Sequence, residues 1–173
     1  QAGATGPVTL CGTLVQSMAE TLAGLIMAQL TERGSPFIMG VISTVMDMRT
    51  AIMSYGAPEF TLINAAAAQV AQYYGLPFFG TGGVTDSKVP DGQAAAEASL
   101  SLLMASLSGT NLIHDIGYLE SGMTGSLEMI VICDEIAGMV SRILEGVEVN
   151  DDTIATDMID RIGPGGTFLA EGH

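Results

Sequence analysis

One pattern of apolar and polar positions recurs four times along the chain: a short apolar or β-branched run, a loop rich in Gly, Ser, Thr and Asp, then a long amphipathic stretch rich in Ala, Leu and Met. Each recurrence reads as strand, loop and helix. In the first, Pro7 to Cys11 is the expected strand and Thr13 to Glu32 the helix, with Gly34 and Pro36 as stop signals. In the second, Phe37 to Ser43 is the strand. A long loop carrying Asp47, Arg49, Tyr55 and Gly56 then leads to a helix from Pro58 or Glu59 to Tyr74, which Gly75 ends. The third has Pro77 to Gly80 as strand, Thr81 to Asp91 as loop and Gly92 to Ser108 as helix, with Asp91 as its N-cap. The fourth runs as strand from Asn111 to Gly117, as loop from Tyr118 to Thr124 and as helix from Gly125 to Glu145. Asn150 then caps a shorter helix to Arg161, broken by the glycines from Gly163 to Gly166.

Strands starting at residues 7, 37, 77 and 111 are spaced by 30 to 40 residues, the length of one β/α unit and about one-eighth of a β/α barrel. Alternating strands and helices imply a parallel sheet, because parallel neighbours need a crossover helix. A dinucleotide-binding sheet would carry a GxGxxG turn after its first strand, and here that turn is only Gly12-Thr13. Long polar loops follow the strands, whereas the connections after helices are short, as on the catalytic face of a barrel. The expected fold is α/β, with about four parallel β/α units making half of a TIM (β/α)8 barrel. Residues 1–173 would then be a partial barrel, a fragment of a longer chain that opens on Gln1 and closes on Glu171-Gly172-His173.

Composition narrows the picture. Apolar residues make up 48% of the 173 and charged residues 14%, and mean hydropathy is +0.44, which excludes disorder and fits one domain with a large core. Nineteen acids against five bases leave a net charge of -14, which repels phosphate backbones and anionic lipids, so neither nucleic acid nor membrane is an expected partner. Glu20, Gln29, Glu32, Asp134 and Glu135 interrupt the apolar stretches, so no spanning helix is expected. Cys11 and Cys133 are far apart and there are only two histidines, which argues against a disulfide framework or a zinc site and for a reducing, cytoplasmic setting.

A barrel gathers its functional side chains just past its strands. The second unit offers Asp47, Arg49, Tyr55 and Glu59 there, with loop hydrogen bonds and a helix-dipole role for Glu59 as the plain alternative. In the third, Thr81, Thr85, Asp86, Ser87 and Lys88 surround two glycines. A phosphate cradle is one reading of that loop, opposed by Asp86 and Asp91. The densest cluster is His114, Asp115, Tyr118 and Glu120 in the fourth unit. Strand alternation puts His114 and Asp115 on opposite faces, and a paired core histidine is the plain alternative. No GxSxG or similar nucleophile motif appears, which disfavours a hydrolytic triad.

Asp47-Met-Arg-Thr with Tyr55-Gly-Ala-Pro-Glu59, Gly80-Thr-Gly-Gly with Thr85-Asp-Ser-Lys88 and Asp91-Gly-Gln93, the run from His114 to Ser126, and Phe168 to His173 together resemble the trimethylamine methyltransferase family over essentially the whole chain. The resemblance implies that this is the C-terminal half of a longer barrel enzyme. Such an enzyme moves a methyl group from a methylated amine to the Co(I) corrinoid of a separate partner protein, so this chain itself would bind no corrinoid and no metal. Family members acting on trimethylamine contain pyrrolysine, whereas only standard residues occur here. This implies a quaternary ammonium substrate such as glycine betaine, with Lys88 a candidate for the pyrrolysine position. The transfer needs orientation and desolvation rather than a protein nucleophile. On this basis His114, Asp115, Tyr118 and Glu120 are the candidate catalytic residues, and Asp47, Arg49, Tyr55, Phe79, Asp86 and Lys88 the candidate substrate-binding ones. Carboxylates and rings would hold the cation, and Arg49 or His114 a substrate carboxylate. A homo-oligomer is expected. The contrasting readings are a family member using a different methylated amine, quaternary or tertiary, or another methyl donor, and a non-catalytic barrel module that binds a cationic ligand or docks a partner.

Overall fold

A computed structural model of the chain describes residues 1–172; His173, the last residue of the Phe168 to His173 stretch, lies outside them. Helix α1 (Leu10–Thr31) leads into strand β1 (Met39–Gly40), followed by strands β2 (Val45–Asp47) and β3 (Ile52–Ser54), helix α2 (Pro58–Tyr73), strand β4 (Phe78–Thr81), helix α3 (Gly92–Leu107) and strand β5 (Leu112–His114). Strands β6 (Tyr118–Leu119) and β7 (Thr124–Gly125) flank a single 3-10 turn, and helices α4 (Leu127–Glu145), α5 (Asp151–Ile154) and α6 (Thr156–Ile162) complete the chain. The molecule is mixed α/β. Its main sheet is parallel, in the order β1-β4-β5, with Met39 beside Phe78 and Thr81 beside His114. Helices α2 and α3 are the crossovers, so strands that succeed one another in the chain also neighbour one another in the sheet.

Local chemistry sets the helix bounds. Pro58 opens α2 with Glu59 in its first turn, where a missing N–H and a negative charge are both favourable. Gly75 takes φ +66° beyond its end, a left-handed stop that other residues resist. Asp91 accepts from the Ala94 N–H at 2.9 Å to cap α3, and Ser126 accepts from Met129 to cap α4. On α2, Ala67, Ala68 and Ala71 lie against Met39, Phe78 and Met18, and their small side chains let the helix sit close to the sheet. A second cluster joins Ala94, Ala98 and Leu102 of α3 to Met129, Cys133, Ile136 and Val140 of α4.

The structure departs from the sequence expectation in several places. Pro7 to Cys11 is not a strand: Thr9 is the extended residue before α1, and the Thr13 hydroxyl donates to the Pro7 carbonyl at 2.7 Å, which folds this run over the helix start. Three parallel strands therefore stand where four were expected. The loop expected after the second strand contains the antiparallel hairpin β2–β3, and the one after the fourth contains β6 and β7. The expected final helix is two helices, because Ala155 is left-handed at φ 54°. Contrary to expectation, α1 is long and apolar enough to cross a membrane by length and composition, Glu20 being its one charged residue. One such helix near the N-terminus is weak evidence, and this one packs Met18 against the α2 core.

Candidate functional site

Each parallel strand feeds one loop, and the three loops meet at the same end of the sheet. Between them lies an open cleft of about 490 Å³, lined by Asp47, Ser54, Asp86, Lys88, Glu120 and Ser121 with the apolar side chains of Ile52, Met53 and Met123. Four of the residues picked from the sequence thus share one cavity. Lys88 and Glu120 form an ion pair at 3.0 Å, both well exposed. Asp47 turns inward on its own hairpin, accepting from the Arg49 N–H and the Thr50 hydroxyl at 2.9 Å each. These bonds, the Arg49 N–H first, hold its carboxyl below the usual range. Arg49 itself is exposed in the hairpin turn and does not line the cleft.

Asp86 is half-buried and already engaged. Its Oδ1 accepts from the Tyr55 N–H and the Ser121 hydroxyl, both at 2.7 Å, and its Oδ2 accepts from the Ser54 hydroxyl. One carboxylate thus ties the ends of all three loops together. Tyr55 is buried, stacked on Phe60 with ring centroids 5.0 Å apart. Burial pushes its phenol up, with the Asp115 and Tyr118 charges adding to the effect. Glu120 and Ser121 are consecutive left-handed residues, φ 49° and 55°, a backbone state costing about 1–3 kcal/mol each. The third loop holds them there, through the Glu120 N–H to the Ser87 carbonyl at 2.8 Å and the Ser121 N–H to that of Thr85 at 3.1 Å.

At the tip of β5, His114 and Asp115 do share a site, contrary to strict alternation. Asp115 adopts φ +68°, which turns its carboxylate back to 2.9 Å from His114 Nδ1. Its Nε2 lies 3.3 Å from the Thr81 hydroxyl, the donor of this contact being set by the tautomer. Phe79 lies over the same imidazole, centroids 4.1 Å apart. The ring is fixed on three sides. Tyr118 is half-exposed in β6, and its carbonyl accepts from the Thr85 N–H.

The glycines of the third loop do not cradle an anion. Gly82 and Gly83 are buried, a Cβ on them would meet Ile113, Leu102 or Ile116 at 3.0–3.3 Å, and the Gly83 N–H is taken by the Ser101 hydroxyl at 3.0 Å. Cys133 lies beneath them with its thiol pushed up by burial, so it is no poised nucleophile. Sequence reasoning missed Ser54 and Ser121, for which the sequence held no signal. It also missed Glu97, which accepts from Thr85 and Asp86. Glu97 did leave a trace, as the one charged residue of α3.

These loops are also where the chain can be compared with known proteins. A family model described as trimethylamine methyltransferase (MTTB) matches residues 1–173. The chain belongs to the trimethylamine methyltransferase family. It is 41% identical over 171 residues to a trimethylamine methyltransferase, MttB, of Desulfitobacterium hafniense, and 43% identical over 168 residues to that of Methanosarcina thermophila, covering 99% and 97% of this chain. A glycine betaine methyltransferase of Desulfitobacterium hafniense is 43% identical over 173 residues, with 99% of this chain covered. The matches take in only 34%, 35% and 36% of those relatives, so the chain spans about a third of their length. Membership thus extends to the loops that build the cleft.

Proposed function

We propose that this chain is the C-terminal part of a TIM-barrel methyltransferase that takes a methyl group from a quaternary ammonium such as glycine betaine. The observation that carries this reading is the meeting of three successive strand-end loops of a family member on one acidic, methionine-lined cleft. The sheet supports barrel closure: Ile38, Phe79 and Leu112 stand 40–51% exposed on the face away from the helices. Among the described residues β1 and β5 each pair along one edge only, and uncovered apolar faces and edges call for more chain. Closure by the rest of a longer protein in the cytoplasm, assembled as a homo-oligomer, follows from the same reading.

The carboxylates of Asp47, Asp86 and Glu120 give the cleft a negative field that attracts a cation, and Met53 and Met123 offer soft apolar contacts to its methyl groups. Lys88, on the cleft wall, is the ammonium placed to take a substrate carboxylate, in preference to Arg49 in its exposed turn. The methyl acceptor is the reduced corrinoid of a separate protein, which supplies the nucleophile. As the N–CH3 bond breaks, its electron pair remains on nitrogen and a neutral tertiary amine leaves, so no proton is required. Glu120 then orients the substrate from the cleft wall, while His114, Asp115 and Tyr118, which do not line the cleft, act from the neighbouring strand end to exclude water.

The test is methyl transfer by the full-length enzyme to its cognate corrinoid protein from glycine betaine, tetramethylammonium and trimethylamine. Transfer from the quaternary amines and not from trimethylamine is expected. Asp115→Ala and Tyr118→Phe are expected to lower kcat/KM by about 10- to 100-fold. Binding of quaternary amines with no transfer from any of them overturns the enzymatic reading in favour of a non-catalytic module.

A further inference from the structure

Glu97 is the one charged side chain on α3, and it faces the loops rather than open solvent. Its Oε2 accepts from the Thr85 hydroxyl at 2.6 Å and from the Asp86 N–H at 2.9 Å, and its Oε1 accepts from Gln93 at 2.9 Å. Gly56, just after β3, backs directly onto it, and a Cβ there would overlap the Glu97 carboxyl group. Thr85 passes the link on: its hydroxyl oxygen accepts from the Ser87 N–H at 2.9 Å, and the Ser87 carbonyl takes the N–H of left-handed Glu120. Asp86 passes it on in the other direction, to Ser54, Tyr55 and Ser121. Each of these two neighbouring carboxylates has its own set of hydrogen-bond donors.

We infer that Glu97 is a positioning residue of the cleft: it anchors the Thr85–Asp86 backbone to α3, so that Asp86 holds the loops from β3 and β5 in register with its own. This rests on the reading of the cleft as the substrate site. Losing Glu97 strands the Asp86 N–H and the Thr85 hydroxyl without their acceptor, and the strained pair Glu120 and Ser121 loses its support. Gly56 is then required at its position because only a residue without a side chain lets the Glu97 carboxyl reach the loop.

The experiment compares Glu97→Ala, Glu97→Gln and Gly56→Ala in the full-length enzyme, with amide hydrogen exchange and steady-state methyl transfer as separate readouts. Glu97→Ala is expected to speed exchange across residues 54–56, 85–88 and 120–122 and to raise the KM for the amine about tenfold, with a smaller change in kcat. Glu97→Gln, whose carbonyl oxygen can take both bonds, is expected to restore both readouts to within about threefold of the parent. Gly56→Ala should reproduce the Glu97→Ala behaviour, and combining the two should add little, as for residues acting through one contact. Unchanged exchange in a folded Glu97→Ala enzyme overturns the inference, and so does a Glu97→Gln enzyme as impaired as Glu97→Ala. Exchange is read without turnover, so an enzyme that demethylates no amine would sink the proposed function and leave the anchor still decided.

Discussion

On the helix side of the β1-β4-β5 sheet, Met39 and Phe78 are sealed, at 0% and 1% exposure, beneath Ala67, Ala68 and Ala71. One residue along each strand, Ile38 and Phe79 stand half open on the other side. Neighbouring side chains of like character thus meet opposite surroundings. The sealed side is completed by local crossovers, since α2 and α3 are the segments that join its strands. The open side has no such crossover packed on it among the described residues. His114 lies in register with Thr81 on that open side.

The largest effect that bears on this contrast is expected from truncating the two adjacent rings. Phe78→Ala should cost the 173-residue chain about 3–5 kcal/mol by urea unfolding. Phe79→Ala should cost about 1 kcal/mol, mostly the ring contact with His114. Equal costs would mean that the open face is not open. A smaller effect is expected at Tyr55, whose phenol is raised by burial. Folding favours the neutral phenol, so this contribution is complete below the ordinary tyrosine value of about 10 and is lost as pH rises through the higher folded value. Tyr55→Phe should therefore flatten the fall of the urea midpoint above about pH 10; parallel curves for parent and variant would place Tyr55 in water rather than beneath the loops. The smallest effect belongs to Lys88. Its pair with Glu120 is exposed, so Lys88→Ala should alter stability by no more than about 1 kcal/mol. The same change should raise the KM for glycine betaine more than that for tetramethylammonium, which has no carboxylate to hold.

Periodicity and caps located α2, α3 and α4 within a residue or two, because Pro58, Asp91 and Gly75 act on their own neighbours. The same reasoning mistook Pro7 to Cys11 for a strand, since a short apolar run takes its state from whatever it can pair with. The cleft was legible as a set of polar residues past the strands, and Asp47, Asp86, Lys88 and Glu120 do meet there. Their roles were less legible. Asp86 reads as a free cation ligand and proves to be a three-loop tie, and His114 and Asp115 read as opposed until a left-handed Asp115 joins them.

The amino-acid sequence by itself determined the alternation of helix and strand, the charge, and the family resemblance, all of which reside in short-range pattern and composition. Tertiary structure alone decided which carboxylates are spoken for, which face of the sheet stays uncovered and why Gly56 must be small. Those properties belong to groups 30 or more residues apart, as Asp86 is from Tyr55 and Ser121, and separations of that kind are set by packing rather than by any local preference of the chain.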